Sequence, residues 1–115
     1  MAGPVLDWEW QQAVPMRHKI VGMKRLTDEQ VQERLAQLPG WKLQGAAIRR
    51  VYEFKDFVAA MAFVNELAVL AEEAGHHPDI DIRYNKVTLG LTTHDAGGLT
   101  ENDAKMAAQI SEKFK

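Results

Sequence analysis

The sequence has no cysteine, no long apolar run and no excess of basic residues, and each of these absences excludes a class of protein. Without cysteine there is neither a disulfide framework nor thiolate chemistry. No run of about 18 apolar residues occurs, so no membrane-spanning helix is expected. A formal net charge of -2 offers no basic surface for nucleic acid. The N-terminus also lacks the apolar core of a secretory signal, and we therefore expect a cytoplasmic protein.

The 115 residues fit one domain, and the hydrophobic share of 46% is enough to build a core. Residues 1–22 differ from the rest because they carry Trp8 and Trp10 between prolines, without a clear period. We interpret residues 1–22 as an N-terminal arm, either disordered or loosely docked, whose tryptophans are candidates for packing on a neighbouring subunit. Residues 23–115 are then the folded domain.

Two alternating stretches after Pro78 predict a β-hairpin. Apolar side chains occupy every second position, namely Ile80, Ile82 and Tyr84 in the first stretch and Val87, Leu89 and Leu91 in the second. Asn85-Lys86 fits a two-residue turn because Asn tolerates positive φ. This turn pairs Ile82 with Leu89 and, extended outward, sets His77 opposite His94. Since opposed side chains lie about 5 Å apart at Cβ, we expect imidazoles to meet there, with His76 beside them.

Clustered histidines suit proton transfer because imidazole titrates near neutrality and can act as acid or base at one pH. Two other interpretations stay open. One is a set of surface histidines at a helix–strand junction. The other is a zinc site, which the geometry disfavours because the adjacent His76 and His77 point to opposite faces of an extended chain.

The remaining elements are predicted from caps and apolar periodicity. Thr27 with Gln30, and Thr100 with Asp103, have the spacing of capping boxes. Asp56 caps a helix from Phe57 to Ala74, which Gly75 is expected to end as a left-handed cap. That second helix is apolar nearly all round, which favours burial on one side and self-association on the other. Another hairpin is predicted with its turn at Gly45-Ala46, between Trp41 and Phe54. The order of elements is then α-β-β-α-β-β-α. We predict an α+β two-layer sandwich, a four-stranded antiparallel sheet with three helices on one face.

A spaced pattern of residues over this region resembles the signature of the pterin-4a-carbinolamine dehydratases. It consists of Glu72, His76-His77-Pro78, Tyr84, His94 and Asp103, flanked by Gly40-Trp41, Phe54-Lys55-Asp56-Phe57, Thr92-Thr93-His94-Asp95 and Gly98-Leu99-Thr100. The likeness covers about Leu26 to Phe114. It implies the predicted fold, with strands that continue into a partner's sheet to form a homodimer or homotetramer.

The resemblance implies dehydration of 4a-hydroxytetrahydrobiopterin to quinonoid dihydropterin, which recycles the cofactor of aromatic amino acid hydroxylases. This chemistry needs no metal and no organic cofactor. The implied catalytic residues are His76, His77 and His94. Substrate-binding candidates are Gly75, Thr92, Thr93 and Asp95, and supporting candidates are Glu72 and Asp103, of which Asp103 either caps its helix or orients an imidazole.

One position departs from the family pattern. Animal members carry a tryptophan two residues after the proline, where this chain has Ile80. An aromatic ring stacked on the substrate from this position is therefore excluded. Animal members also act as dimerisation cofactors of a homeodomain transcription factor. The alternative function is accordingly a protein-binding module that acts through the apolar second helix.

Overall fold

The computed structural model describes residues 24–115, so the predictions for residues 1–22, Trp8 and Trp10 among them, lie outside the described residues. Within the described part there are three helices and four strands. They are α1 (Asp28–Leu35), β1 (Lys42–Gln44), β2 (Ala47–Glu53), α2 (Phe57–Ala74), β3 (Asp79–Arg83), β4 (Lys86–Leu91) and α3 (Glu101–Lys113). The predicted α+β class and the predicted order of elements are both confirmed.

The helix boundaries follow from local capping chemistry. The Thr27 hydroxyl accepts a hydrogen bond from the Gln30 amide at 3.1 Å, and the Gln30 side chain accepts one from the Thr27 amide at 2.9 Å. Asp56 caps α2 through a carboxylate oxygen 2.8 Å from the amide nitrogen of Ala59. Helix α2 ends at Gly75, whose φ of 68° is the left-handed conformation that glycine adopts without a steric penalty. These predicted caps are confirmed.

The sheet is antiparallel throughout, in the order β1-β2-β4-β3. Its helix-covered face carries five buried side chains from the two central strands, namely Ile48, Tyr52, Val87, Leu89 and Leu91. These side chains join Phe63 and Leu67 of α2 and Ile110 of α3 in one core. The helices therefore cover one face of the sheet.

The predicted register of the second hairpin is wrong by two residues. Ile82 pairs with Val87, and the turn is Tyr84-Asn85, where Tyr84 takes a φ of 52°. Asn85 is held in place by Phe54, whose carbonyl accepts from the Asn85 side chain and whose amide donates to the Asn85 carbonyl, both at 2.8 Å. A shift of two residues keeps every side chain on its own face, so the apolar alternation fits both registers equally well.

The predicted opposition of His77 and His94 on the ladder is also wrong. Strand β3 begins at Asp79 and β4 ends at Leu91, so neither histidine lies in the paired part of the hairpin. Any meeting of the histidine-bearing segments depends on contacts beyond the strands.

Helix α2 leaves part of its apolar surface uncovered. Phe57 is 48% exposed, Val58 75% and Val69 59%. On the opposite side of the same helix, Phe63 and Leu67 are buried in the core. The protein therefore has an apolar strip on α2 that its own sheet does not cover.

Candidate active site

His76 stands directly after the cap that ends α2. The Gly75 amide points back to the carbonyls of Ala71 and Glu72, and the His76 amide donates to the Ala71 carbonyl at 3.3 Å. This reversal turns the His76 side chain, which is 18% exposed, toward the start of α3. Its Nε2 lies 2.5 Å from Oδ1 of Asp103.

Asp103 is fully buried, and both of its carboxylate oxygens lie within hydrogen-bond distance of polar partners. While Oδ1 bonds to His76, Oδ2 lies 2.8 Å from the Thr93 hydroxyl and 2.9 Å from the Thr100 amide nitrogen. The hydroxyls of Thr93 and Thr100 are themselves 2.9 Å apart. A buried carboxylate needs such compensation, because an unpaired charge in the interior is strongly unfavourable. Asp103 thus combines both expected contacts, since it completes the helix cap and also touches an imidazole.

The loop that carries His94 is closed by its own backbone. Thr93 and Gly98 form an antiparallel bridge, with the Thr93 amide 2.9 Å from the Gly98 carbonyl oxygen. Between them His94–Ala96 make one 3-10 turn, which leaves the His94 side chain exposed. Because Thr93 bonds to Asp103 and Asp103 bonds to His76, the segments that carry the two histidines meet at one carboxylate.

His77 has a separate carboxylate partner. Its Nε2 lies 2.6 Å from Oε2 of Glu72, one turn back on α2. Both side chains are open to solvent, 59% exposed for His77 and 76% for Glu72. An exposed pair adds little stability because water screens it, so its main effect is on the orientation of the ring.

The four residues predicted to bind substrate occupy different settings. Gly75 is the α2 cap described above. The Thr92 hydroxyl donates to the Ala46 carbonyl at 2.6 Å and so ties β4 to the turn between β1 and β2. Thr93 is buried, with its hydroxyl on Asp103, while Asp95 is exposed in the 3-10 turn. Binding of substrate by these residues stays a prediction.

Thr100 is the residue of this network that sequence reasoning used only as a cap. Its spacing to Asp103 carried the signal, because in a capping box the side chain at the third helical position accepts from the backbone amide of the cap residue. The contact with Thr93 had no such signal, since it joins a loop to a helix.

Within residues 24–115 no group of three or more His, Asp or Glu side chains is arranged to hold a metal ion. In the same part of the chain, no helix combines the length and the apolar character needed to cross a membrane.

Comparison with known proteins relates the chain to one family. A family model described as pterin 4 alpha carbinolamine dehydratase matches residues 24–113. A protein of Acidobacterium capsulatum, provisionally named a pterin-4-alpha-carbinolamine dehydratase, is 66% identical over 88 residues, which are 76% of this chain and 96% of that protein. A protein of Roseiflexus sp. (strain RS-1) with the same provisional name is 58% identical over 88 residues, 76% of this chain and 95% of its own.

Two solved structures share the fold. A transcriptional coactivator/pterin dehydratase from Brucella melitensis superposes with a TM-score of 0.73 at 41% identity, over 77% of this chain and 97% of that one. A pterin dehydratase-like protein, identified as a RuBisCO assembly factor in the alpha-carboxysome, gives a TM-score of 0.51 at 25% identity. It covers 63% of this chain and 83% of its own.

Proposed function

The chain belongs to the pterin 4 alpha carbinolamine dehydratase family, and from this premise we propose that it converts 4a-hydroxytetrahydrobiopterin to quinonoid dihydropterin. The observation that carries the proposal is the bond between His76 and the buried Asp103. Both residues belong to the spaced pattern that resembles the family signature. In this role the protein recycles the cofactor of aromatic amino acid hydroxylases.

The reaction removes one water molecule and is balanced by two proton transfers. A protonated group gives its proton to the hydroxyl oxygen at C4a, the C–O bond breaks, and water leaves. A base takes the proton from N5, whose electrons form the C4a=N5 double bond. We assign these two duties to His76 and His94, with His77 assisting or binding the ring.

The test is a stopped-flow assay on the full chain with chemically generated carbinolamine, in which formation of quinonoid dihydropterin is followed by absorbance. Wild-type protein should accelerate the dehydration above the spontaneous rate, and His76→Gln should lose most of this acceleration. As a control, Thr88→Val removes a hydroxyl on the helix-free face of the sheet without changing the shape of the side chain, and it should keep wild-type turnover. If the wild-type protein does not raise the dehydration rate above the spontaneous rate, the proposal is refuted.

A second candidate function, a protein-binding module, is favoured by the exposed apolar strip on α2. Two relatives of known structure bear names that denote protein interaction, a transcriptional coactivator and an assembly factor. Burial of large apolar side chains is a common source of binding energy at interfaces. We propose that this strip contacts either a second copy of the chain, giving a homodimer or homotetramer, or another protein.

Self-association is tested by light scattering on the full chain. Val58→Asp places a charge on the strip and should lower the measured mass below that of the wild-type assembly, whereas an assembly held only through strand edges would keep its mass. Val51→Asp is the matched control, because Val51 is also exposed, at 58%, but lies on the sheet. A wild-type protein that is already monomeric would leave the strip to a different partner.

A further inference from the structure

The hydroxyls of Thr93 and Thr100 and the carboxylate of Asp103 form a closed hydrogen-bond network whose proton positions can be counted. The Thr100 hydroxyl oxygen accepts from the Asn102 amide at 3.2 Å and lies 2.9 Å from the Thr93 hydroxyl. Thr100 is completely buried, so its hydroxyl hydrogen has no access to water. Among residues 24–115 the only acceptor bonded to it is the Thr93 oxygen.

This count fixes the direction of the network. Because Thr100 donates to Thr93, the single hydroxyl hydrogen of Thr93 goes to Oδ2 of Asp103. The Thr100 amide donates to the same oxygen. If Asp103 instead carried a proton on Oδ2 and donated it to Thr93, the hydrogen of Thr93 would point to Thr100 and the hydrogen of Thr100 would be left buried without an acceptor. Such an orphaned donor is unfavourable by about 1–3 kcal/mol.

The count leaves no proton on Oδ2. A carboxylic acid is also a much stronger acid than an imidazolium, so the hydrogen in the contact between Oδ1 and His76 belongs to the imidazole and Asp103 acts only as an acceptor. At 2.5 Å, Nε2 of His76 donates to Oδ1. In a neutral imidazole one nitrogen carries the hydrogen and the other accepts, so Nδ1 is the accepting nitrogen.

We propose that Thr93 and Thr100 are positioning residues that act through Asp103 to hold His76 in its Nε2–H tautomer, which makes Nδ1 the site that accepts a proton. This rests on the proposed dehydratase function and deepens it, since it gives His76 the duty of the base toward N5. When Nδ1 takes that proton, the imidazolium keeps its Nε2 hydrogen bond to an ionised carboxylate, so the new charge is paired at once. The proton for the leaving hydroxyl then comes from another group, for which His94 or His77 is available.

The proposal also gives Thr93 a role other than substrate contact. With its hydrogen on Asp103 and its oxygen accepting from Thr100, the hydroxyl is occupied within the protein. The Thr93 side chain is also buried, at 6% exposure. Its effect on turnover is thus expected through the orientation and tautomer of His76.

The first test reads the tautomer directly on the wild-type full chain labelled with 15N-histidine. A long-range 1H–15N spectrum, recorded alkaline enough to keep imidazoles neutral, separates the protonated nitrogen from the bare one. The His76 signals are assigned by their loss in His76→Gln. Nε2–H in neutral His76 supports the proposal, and Nδ1–H overturns it, whether or not any variant folds and whether or not the chain is a dehydratase.

The second test alters the network. In Asp103→Asn the side-chain oxygen accepts the hydroxyl hydrogen of Thr93 and the backbone amide hydrogen of Thr100. The side-chain NH2 group then faces Nε2 of His76, and the neutral imidazole should switch to the Nδ1–H tautomer. Without a free base, kcat should fall roughly 100-fold, while KM changes little. Thr93→Val should lower kcat by roughly 10-fold, as loss of a supporting hydrogen bond to a functional side chain commonly does.

Thr93→Ser restores the hydroxyl and should recover both turnover and the wild-type His76 spectrum. Thr88→Val is the matched control for loss of a threonine hydroxyl. If Thr93→Val and Thr88→Val have the same His76 spectrum and the same kcat, Thr93 has no positioning role. An inactive wild type with the Nε2–H tautomer would instead refute the dehydratase function and leave the tautomer assignment standing.

Discussion

The turn between β3 and β4 carries the sharpest test of the fold. Tyr84 has a φ of 52° and is 66% exposed, so its backbone is in the left-handed region while its side chain makes few contacts. An L-residue in this region is destabilised by about 1–2 kcal/mol relative to a right-handed conformation. Glycine avoids this cost but loses about 0.5–1 kcal/mol more conformational entropy on folding than alanine does. Tyr84→Gly should therefore be more stable than Tyr84→Ala by about 0.75 kcal/mol, the difference between the midpoints of these two ranges.

The comparison of glycine with alanine at one position cancels the loss of the tyrosine ring. Urea unfolding of both variants is followed by tryptophan fluorescence. The difference in their free energies of unfolding is calculated from the two urea midpoints and a common slope. As a control, the same pair of substitutions at Asp81, an exposed β3 residue with ordinary φ, should show the opposite sign, with glycine less stable by about 0.5–1 kcal/mol.

Two results would contradict this reasoning. If Tyr84→Ala equals or exceeds Tyr84→Gly in stability, residue 84 does not hold a left-handed backbone. If Lys86→Gly stabilises the protein and Tyr84→Gly does not, the turn is at Asn85-Lys86. The second result would favour the register in which Ile82 opposes Leu89.

Other predictions concern separate contacts. His94→Ala should lower turnover by roughly 100-fold in the carbinolamine assay, yet unfold at the wild-type urea midpoint because the ring is exposed. Ser111→Ala removes the acceptor 2.9 Å from the indole nitrogen of the buried Trp41 and should lower the free energy of unfolding by about 1–3 kcal/mol. The hydrogen bond from Arg34 holds the pKa of Glu101 below its ordinary value. A lowered folded-state pKa stabilises the protein above the unfolded-state pKa, and this stabilisation is lost as pH falls through the folded-state value. Urea midpoints of wild type and Glu101→Gln should thus differ at neutral pH and converge in acid.

Local features of the chain were readable in advance because their physics is local. Capping boxes at Thr27 and Thr100 join residues three apart, and the left-handed cap at Gly75 needs only a glycine after an apolar helix. The alternation of apolar and polar residues showed which face of each strand is buried. From these alone followed the order of elements, the α+β class and the uncovered apolar side of α2.

The hairpin register and the histidine contacts were decided only by tertiary structure. A shift of two residues leaves both strand faces unchanged, so the alternation could not distinguish the two registers. In the register that forms, the Asn85 side chain donates a hydrogen bond to the Phe54 carbonyl. Asp103 joins His76, 27 residues before it, to Thr93, 10 residues before it. The spaced pattern indicated an imidazole beside Asp103, but not which of the three histidines it is, nor that Thr93 joins them. Both depend on how α2, the loop after β4 and α3 pack together around one buried carboxylate.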